Sequence, residues 1–94
     1  MAMVTSFVLI NAQPNRTAAL AETLADLDDV AEVYSVAGDF DLVAVVRVRH
    51  HDDLADVVTH EIAARPGIVR TRTLIAFRSY SRVDLDAMWS IGVD

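Results

Sequence analysis

The sequence predicts an α+β fold, an antiparallel four-stranded sheet with both helices on one face, and three observations carry that prediction. Runs rich in β-branched residues alternate with runs whose leucines recur at helical spacing, in the order βαββαβ. Gly38-Asp39 joins the second and third strands as closely as a hairpin requires, because glycine takes the positive φ that a primed turn demands. Each half of the chain runs strand, helix, short turn, strand, and Pro66-Gly67 marks the second of those turns.

The elements follow in order. Met3 to Asn11 is dense in Val, Phe, Leu and Ile and is broken by Pro14-Asn15, which makes it the first strand. Asn15 is the expected N-cap of a helix running to about Asp28, with Leu20, Leu24 and Leu27 forming one apolar stripe. Val30 to Ala37 and Phe40 to Arg49 flank the hairpin. Asp52 or Asp53 caps a second helix to about Ala64, with Leu54, Val58 and Ile62 on one side. Ile68 to about Phe77 is the last strand. Leu85, Met88 and Trp89 predict a short amphipathic helix before Gly92. The whole chain, 1–94, reads as one domain with a core at about 3–78 and an extension at 79–94. The arrangement is ferredoxin-like, a split βαβ.

A two-residue loop fixes the register of the hairpin. Ala37 then pairs with Phe40, Ser35 with Leu42, Val33 with Ala44 and Ala31 with Val46, on a face suited to lie under the helices. Val36 with Asp41, Tyr34 with Val43, Glu32 with Val45 and Val30 with Arg47 share the opposite face. A solvated face is expected to be mostly polar. This one alternates valines with a tyrosine and a few charges, and the first strand is apolar on both sides, with Val4, Val8 and Ile10 on one and Phe7 and Leu9 on the other. The helix-free face is therefore expected to meet a second copy, sheet to sheet, in a two-fold homodimer with Tyr34, Val43 and Val45 in the interface. The 53% of apolar residues in 94 agrees, being more than so small a body hides alone.

Eight basic residues face fourteen acidic ones, a net charge of −6, which argues against direct nucleic-acid binding. The absence of cysteine excludes disulfides and thiolate metal sites. The start MAMVTSFVLINAQPN has no basic leader and too short an apolar run for export or membrane spanning, so a cytoplasmic location is expected. His50, His51 and His60 lack the spacing of a metal site. No nucleophile–base arrangement, phosphate loop or pair of catalytic carboxylates stands out. No catalytic residue, cofactor or metal is expected.

Two stretches resemble a known family. VAEVYSVAGDFDLV (30–43) is similar to the strand and G-x-[FY]-D-[LY] turn of the Lrp/AsnC effector-binding, or RAM, domain. HEIAARPGIVRTRT (60–73) is similar to that family's helix, proline-glycine turn and threonine-bearing last strand. Full-length members carry a helix-turn-helix domain ahead of this one, and the present chain starts at the first strand, so it resembles the stand-alone members. The resemblance implies dimers formed through the sheets, further assembly often to octamers, and contact with full-length Lrp/AsnC-type regulators. It also implies a small effector, usually an amino acid, held near the glycine-aspartate turn by Gly38, Asp39, Phe40 and Asp41, with Thr71 and Thr73 added from the last strand.

Plainer readings stand beside these. Gly38-Asp39 is also an ordinary turn, and Thr71 and Thr73 are also good strand formers. Asp41 is unfavourable inside a strand, and without a ligand its expected partner is Arg47 or an arginine of the last strand. Small dimeric α+β barrel enzymes of the monooxygenase or isomerase kind share the fold and form the alternative. Their pocket wants polar residues on the helix-facing side, where this hairpin puts Ala37, Val33, Ala44 and Val46. A purely structural partner of full-length regulators, with no effector, is the third reading.

Overall fold

A computed structural model describes residues 3–82; the expected C-terminal helix with Leu85, Met88 and Trp89 lies outside them. Strand β1 (Val4–Ala12) leads to helix α1 (Thr17–Ala25), then β2 (Val30–Ser35) and β3 (Leu42–Val48). Helix α2 (His51–Asp56) continues as a π-helical segment, Val57–Ile62, and β4 (Ile68–Ile75) follows. The sheet order is β2-β3-β1-β4, with antiparallel pairing throughout, as the ferredoxin-like reading requires.

Both helices cover the same face. Val8 and Ile10 of β1 and Leu42, Ala44, Val46 and Val48 of β3 alternate onto it and are buried with Leu20 and Leu24 of α1 and Leu54 of α2. A helix of nine residues is marginal alone. Each buried leucine contributes roughly 1.5–3 kcal/mol, so packing rather than propensity holds α1 in place. The helix ends at Ala25, earlier than expected, because Leu27 turns back to pack on the core, its N–H donating to the Leu24 carbonyl at 3.1 Å.

The helix starts also differ from expectation. Asn15 is not an N-cap: it adopts φ of 66°, a left-handed turn that asparagine tolerates, and Arg16 takes the cap position without a side-chain hydrogen bond. Likewise His50, not an aspartate, precedes α2, and Asp52 and Asp53 fall in its first turn, where their charge suits the helix dipole. In the second helix Val57 is buried and Val58 only half-buried. The Ala63 N–H reaches the Val58 carbonyl at 2.8 Å, five residues back. That wider turn lets Val57 and Ile62 face the sheet together.

Ser6 alternates into the core with Val8 and is fully buried, and its Oγ has no hydrogen-bond partner among the described residues. An unsatisfied buried hydroxyl costs about 1–3 kcal/mol. Ser6→Ala is therefore expected to raise stability by about 1 kcal/mol in urea unfolding. A loss of stability on that change would show that the hydroxyl has a partner after all.

Candidate functional site

The β2–β3 connection keeps the expected register but not the expected turn. Val33 faces Ala44, Tyr34 faces Val43 and Ser35 faces Leu42, and the Val36 N–H donates to the Asp41 carbonyl at 3.0 Å. Residues 36–41 form an open loop, with Gly38 at φ of +122° and Ala37 and Phe40 outside the ladder. A Cβ at Gly38 would meet nothing within 4 Å, so the backbone angle, not crowding, calls for glycine here. Farther along, a bulge between Val30 and Glu32 pairs Val30, not Ala31, with Val46. Val30 is thereby buried and Ala31 exposed, the reverse of the expected faces.

Asp41 closes the sheet at the loop. Its N–H donates to the Ile10 carbonyl at 2.9 Å, and its Oδ2 accepts the Ala12 N–H at 2.8 Å. The carboxylate thus replaces a ladder carbonyl at the end of β1. Among the described residues Asp41 forms neither of the expected ion pairs, with Arg47 or with an arginine of the last strand; Arg47 meets Glu32 instead, at 3.8 Å on the exposed surface. The cost of a charge at a strand end is answered by a backbone donor.

Two residues that sequence reasoning did not assign to the site join the loop. Asn11 Nδ2 donates to the Asp39 carbonyl at 2.8 Å. Arg70, paired with Asn11 across β1 and β4, donates to Asn11 Oδ1 from Nε at 3.3 Å and from Nη2 at 3.1 Å. Its guanidinium lies 5.5 Å from the centroid of the Phe40 ring. Asp39, Phe40 and Asp41 therefore meet Asn11 and Arg70 at one corner of the sheet. Thr71 and Thr73 do not join them. They pair with Ile10 and Val8, whose side chains are buried under the helices, so they share the helix-facing side.

The opposite face is apolar at its centre. One row across the sheet reads Tyr34, Val43, Leu9, Arg72 and the next Glu32, Val45, Phe7, Leu74. The valines, Leu9 and Phe7 occupy the middle, and the charges stand on the edge strands β2 and β4. Tyr34, Phe7 and Leu74 are 49%, 38% and 50% exposed, so a good part of this apolar surface meets solvent in the isolated chain. An apolar centre with a polar rim is the pattern of a protein interface.

On that face the Tyr34 hydroxyl donates to Glu32 Oε2. This hydrogen bond, reinforced by the charge of Glu32, pushes the phenol above its ordinary value of 10.0. The contact's stabilisation is complete below the unfolded pKa and is lost as pH rises through the folded one. In an absorbance titration Glu32→Gln is expected to bring the Tyr34 midpoint down. An unmoved midpoint would contradict the pairing.

Comparison with known proteins gives consistent matches. The family model for the Lrp/AsnC ligand binding domain matches residues 5–84. The crystal structure of TTHA0845 from Thermus thermophilus is 53% identical, with a TM-score of 0.79 over 84% of this chain and 99% of that one. The feast or famine regulatory protein of M. tuberculosis, complexed with L-methionine, is 31% identical, with a TM-score of 0.68 over 84% of this chain and 54% of that one. The HTH-type transcriptional regulator FL11 of Pyrococcus abyssi is 28% identical over 75 residues, 80% of this chain and 49% of that protein. The chain spans about half the length of the curated relatives it matches.

Proposed function

The chain belongs to the Lrp/AsnC ligand-binding-domain family, and we propose that it is a non-enzymatic sensing and assembly module. In this reading it forms a homodimer through the open sheet face, assembles further toward an octamer, and binds a small amino acid at the loop formed by Gly38, Asp39, Phe40 and Asp41. Binding changes its assembly or its contact with full-length Lrp/AsnC-type regulators. The observation that carries the reading is continuity. The loop corner, where Asn11, Asp39 and Arg70 are hydrogen-bonded together, borders the same face that presents Tyr34, Val43 and Phe7.

A ligand changes assembly only by binding one state better than another. A site at the rim of an association surface provides that difference, because a neighbouring subunit either completes it or blocks it. The L-methionine held by the M. tuberculosis relative supports the amino-acid class. Thr71 and Thr73 stand apart from this loop, on the helix-facing side, so a contact from them to the same effector would have to come from that side. The barrel-enzyme alternative needs a constellation of polar groups on the helix-facing side of the sheet; there β3 presents only Leu42, Ala44, Val46 and Val48, and the polar residues that share the side include Ser6, Thr71 and Thr73.

A thermal-shift screen against the twenty standard amino acids tests this. A ligand at a hundred times its Kd adds about 2.7 kcal/mol, enough to raise Tm by roughly 10 °C or more in a domain of this size. A screen in which none moves Tm overturns the sensing function.

A further inference from the structure

We infer that Arg70 reads the effector's carboxylate and that Asn11 is the residue positioning it, an inference that rests on the amino-acid reading above. A guanidinium has five N–H donors in a planar fork. Two nitrogens of Arg70, Nε and Nη2, converge on Asn11 Oδ1, and the plane is held near the Phe40 ring. Among the described residues no carboxylate lies within ion-pair distance of Arg70. In a chain of net charge −6 the arginine is held in place by neutral partners, Asn11 and Phe40, and no opposite charge meets it among the described residues.

Asn11 performs both halves of this positioning. Its Oδ1 accepts from Arg70 while its Nδ2 donates to the Asp39 carbonyl, so one amide joins the guanidinium to the loop. Only this orientation of the amide satisfies both neighbours. Asn11 sits where the β1–β4 register shifts, between Asn11 and Ala12. Asp41 is held separately, one carboxylate oxygen on the Ala12 N–H and the other with no hydrogen bond among the described residues.

Two opposite charges are thus fixed at one loop, each by a partner other than the charged group nearby. Left to themselves, an aspartate and an arginine at one corner gain by pairing with each other. Held apart, they match a ligand that carries both signs. A free α-amino acid does so, with its carboxylate on the Arg70 fork and its ammonium toward Asp41. Because the guanidinium is oriented before the ligand arrives, little side-chain freedom is lost on binding.

The test is calorimetric titration of the wild-type protein, Arg70→Gln and Asn11→Asp with each of the twenty amino acids and its α-carboxamide. The wild type is expected to prefer the acid over the amide by about ten- to hundredfold, the range of a charge-assisted contact. Arg70→Gln removes that preference by weakening the acid alone and leaves amide affinity within about twofold. Asn11→Asp sets a carboxylate against Arg70 and likewise weakens the acid selectively, a split that general loosening of the loop does not produce. Equal weakening of acid and amide in Arg70→Gln, or no weakening, overturns the inference while the sensing function stands. Wild-type protein that binds no amino acid overturns both.

Discussion

Val43→Asp is expected to convert the protein from dimer to monomer at micromolar concentration while leaving the fold intact. Val43 stands at the middle of the open face, between Tyr34 on β2 and Leu9 on β1. In the proposed dimer two-fold symmetry brings two aspartates into one dry interface. Each unpaired buried charge costs several kcal/mol. At 1.4 kcal/mol for each tenfold, a total of only about 4 kcal/mol already raises the dissociation constant roughly a thousandfold. In the isolated chain the same side chain sits on the face away from the helices, so Val8, Ile10, Leu24 and Leu42 keep their packing. Light scattering reads the mass and far-ultraviolet circular dichroism reads the fold. A folded dimer in the variant would place the interface elsewhere.

Asp41 gives the second large effect, and two substitutions separate its two roles. Asp41→Ala removes the acceptor for the Ala12 N–H and is expected to cost about 1–3 kcal/mol in denaturant unfolding, the penalty of an orphaned donor. Asp41→Asn keeps an oxygen where Oδ2 stands, so it holds the end of β1 at little cost. Both variants lack the negative charge proposed to meet the effector's ammonium. Both are therefore expected to lose the thermal response to amino acids, while only alanine loses stability. If Asp41→Asn responds as the wild type does, the carboxylate serves the strand end alone.

How far the sequence carried these conclusions depends on the kind of signal. The element order was legible because strand and helix periodicities differ, and the hairpin register held from Val33 to Ser35 because hydrophobic alternation fixes it. The bulge at Val30 was not legible. It arises where the Arg47 N–H bonds to the Asp29 carbonyl, outside the ladder, and it buries a valine where strict alternation would have buried Ala31. The π-helical turn that brings Val57 inward was equally hidden, since a period of 3.6 selects Val58. At the site, the family likeness pointed to the loop but not to Asn11 and Arg70. These two lie 59 residues apart in the chain and meet only through the pairing of β1 with β4, a register that no local pattern encodes. The same pairing turns Thr71 and Thr73 toward the helices. An asparagine closing an apolar strand was the one local signal available.

Whether amino-acid binding and assembly are linked is best decided by sedimentation velocity on the wild-type protein, with and without the amino acid that stabilises it. The proposed interface predicts a species of at least two 10.3 kDa chains without ligand, and linkage predicts a shift in the size distribution when ligand is added. A single-chain mass under both conditions, or a dimer whose distribution does not respond to a ligand that raises Tm, would contradict it.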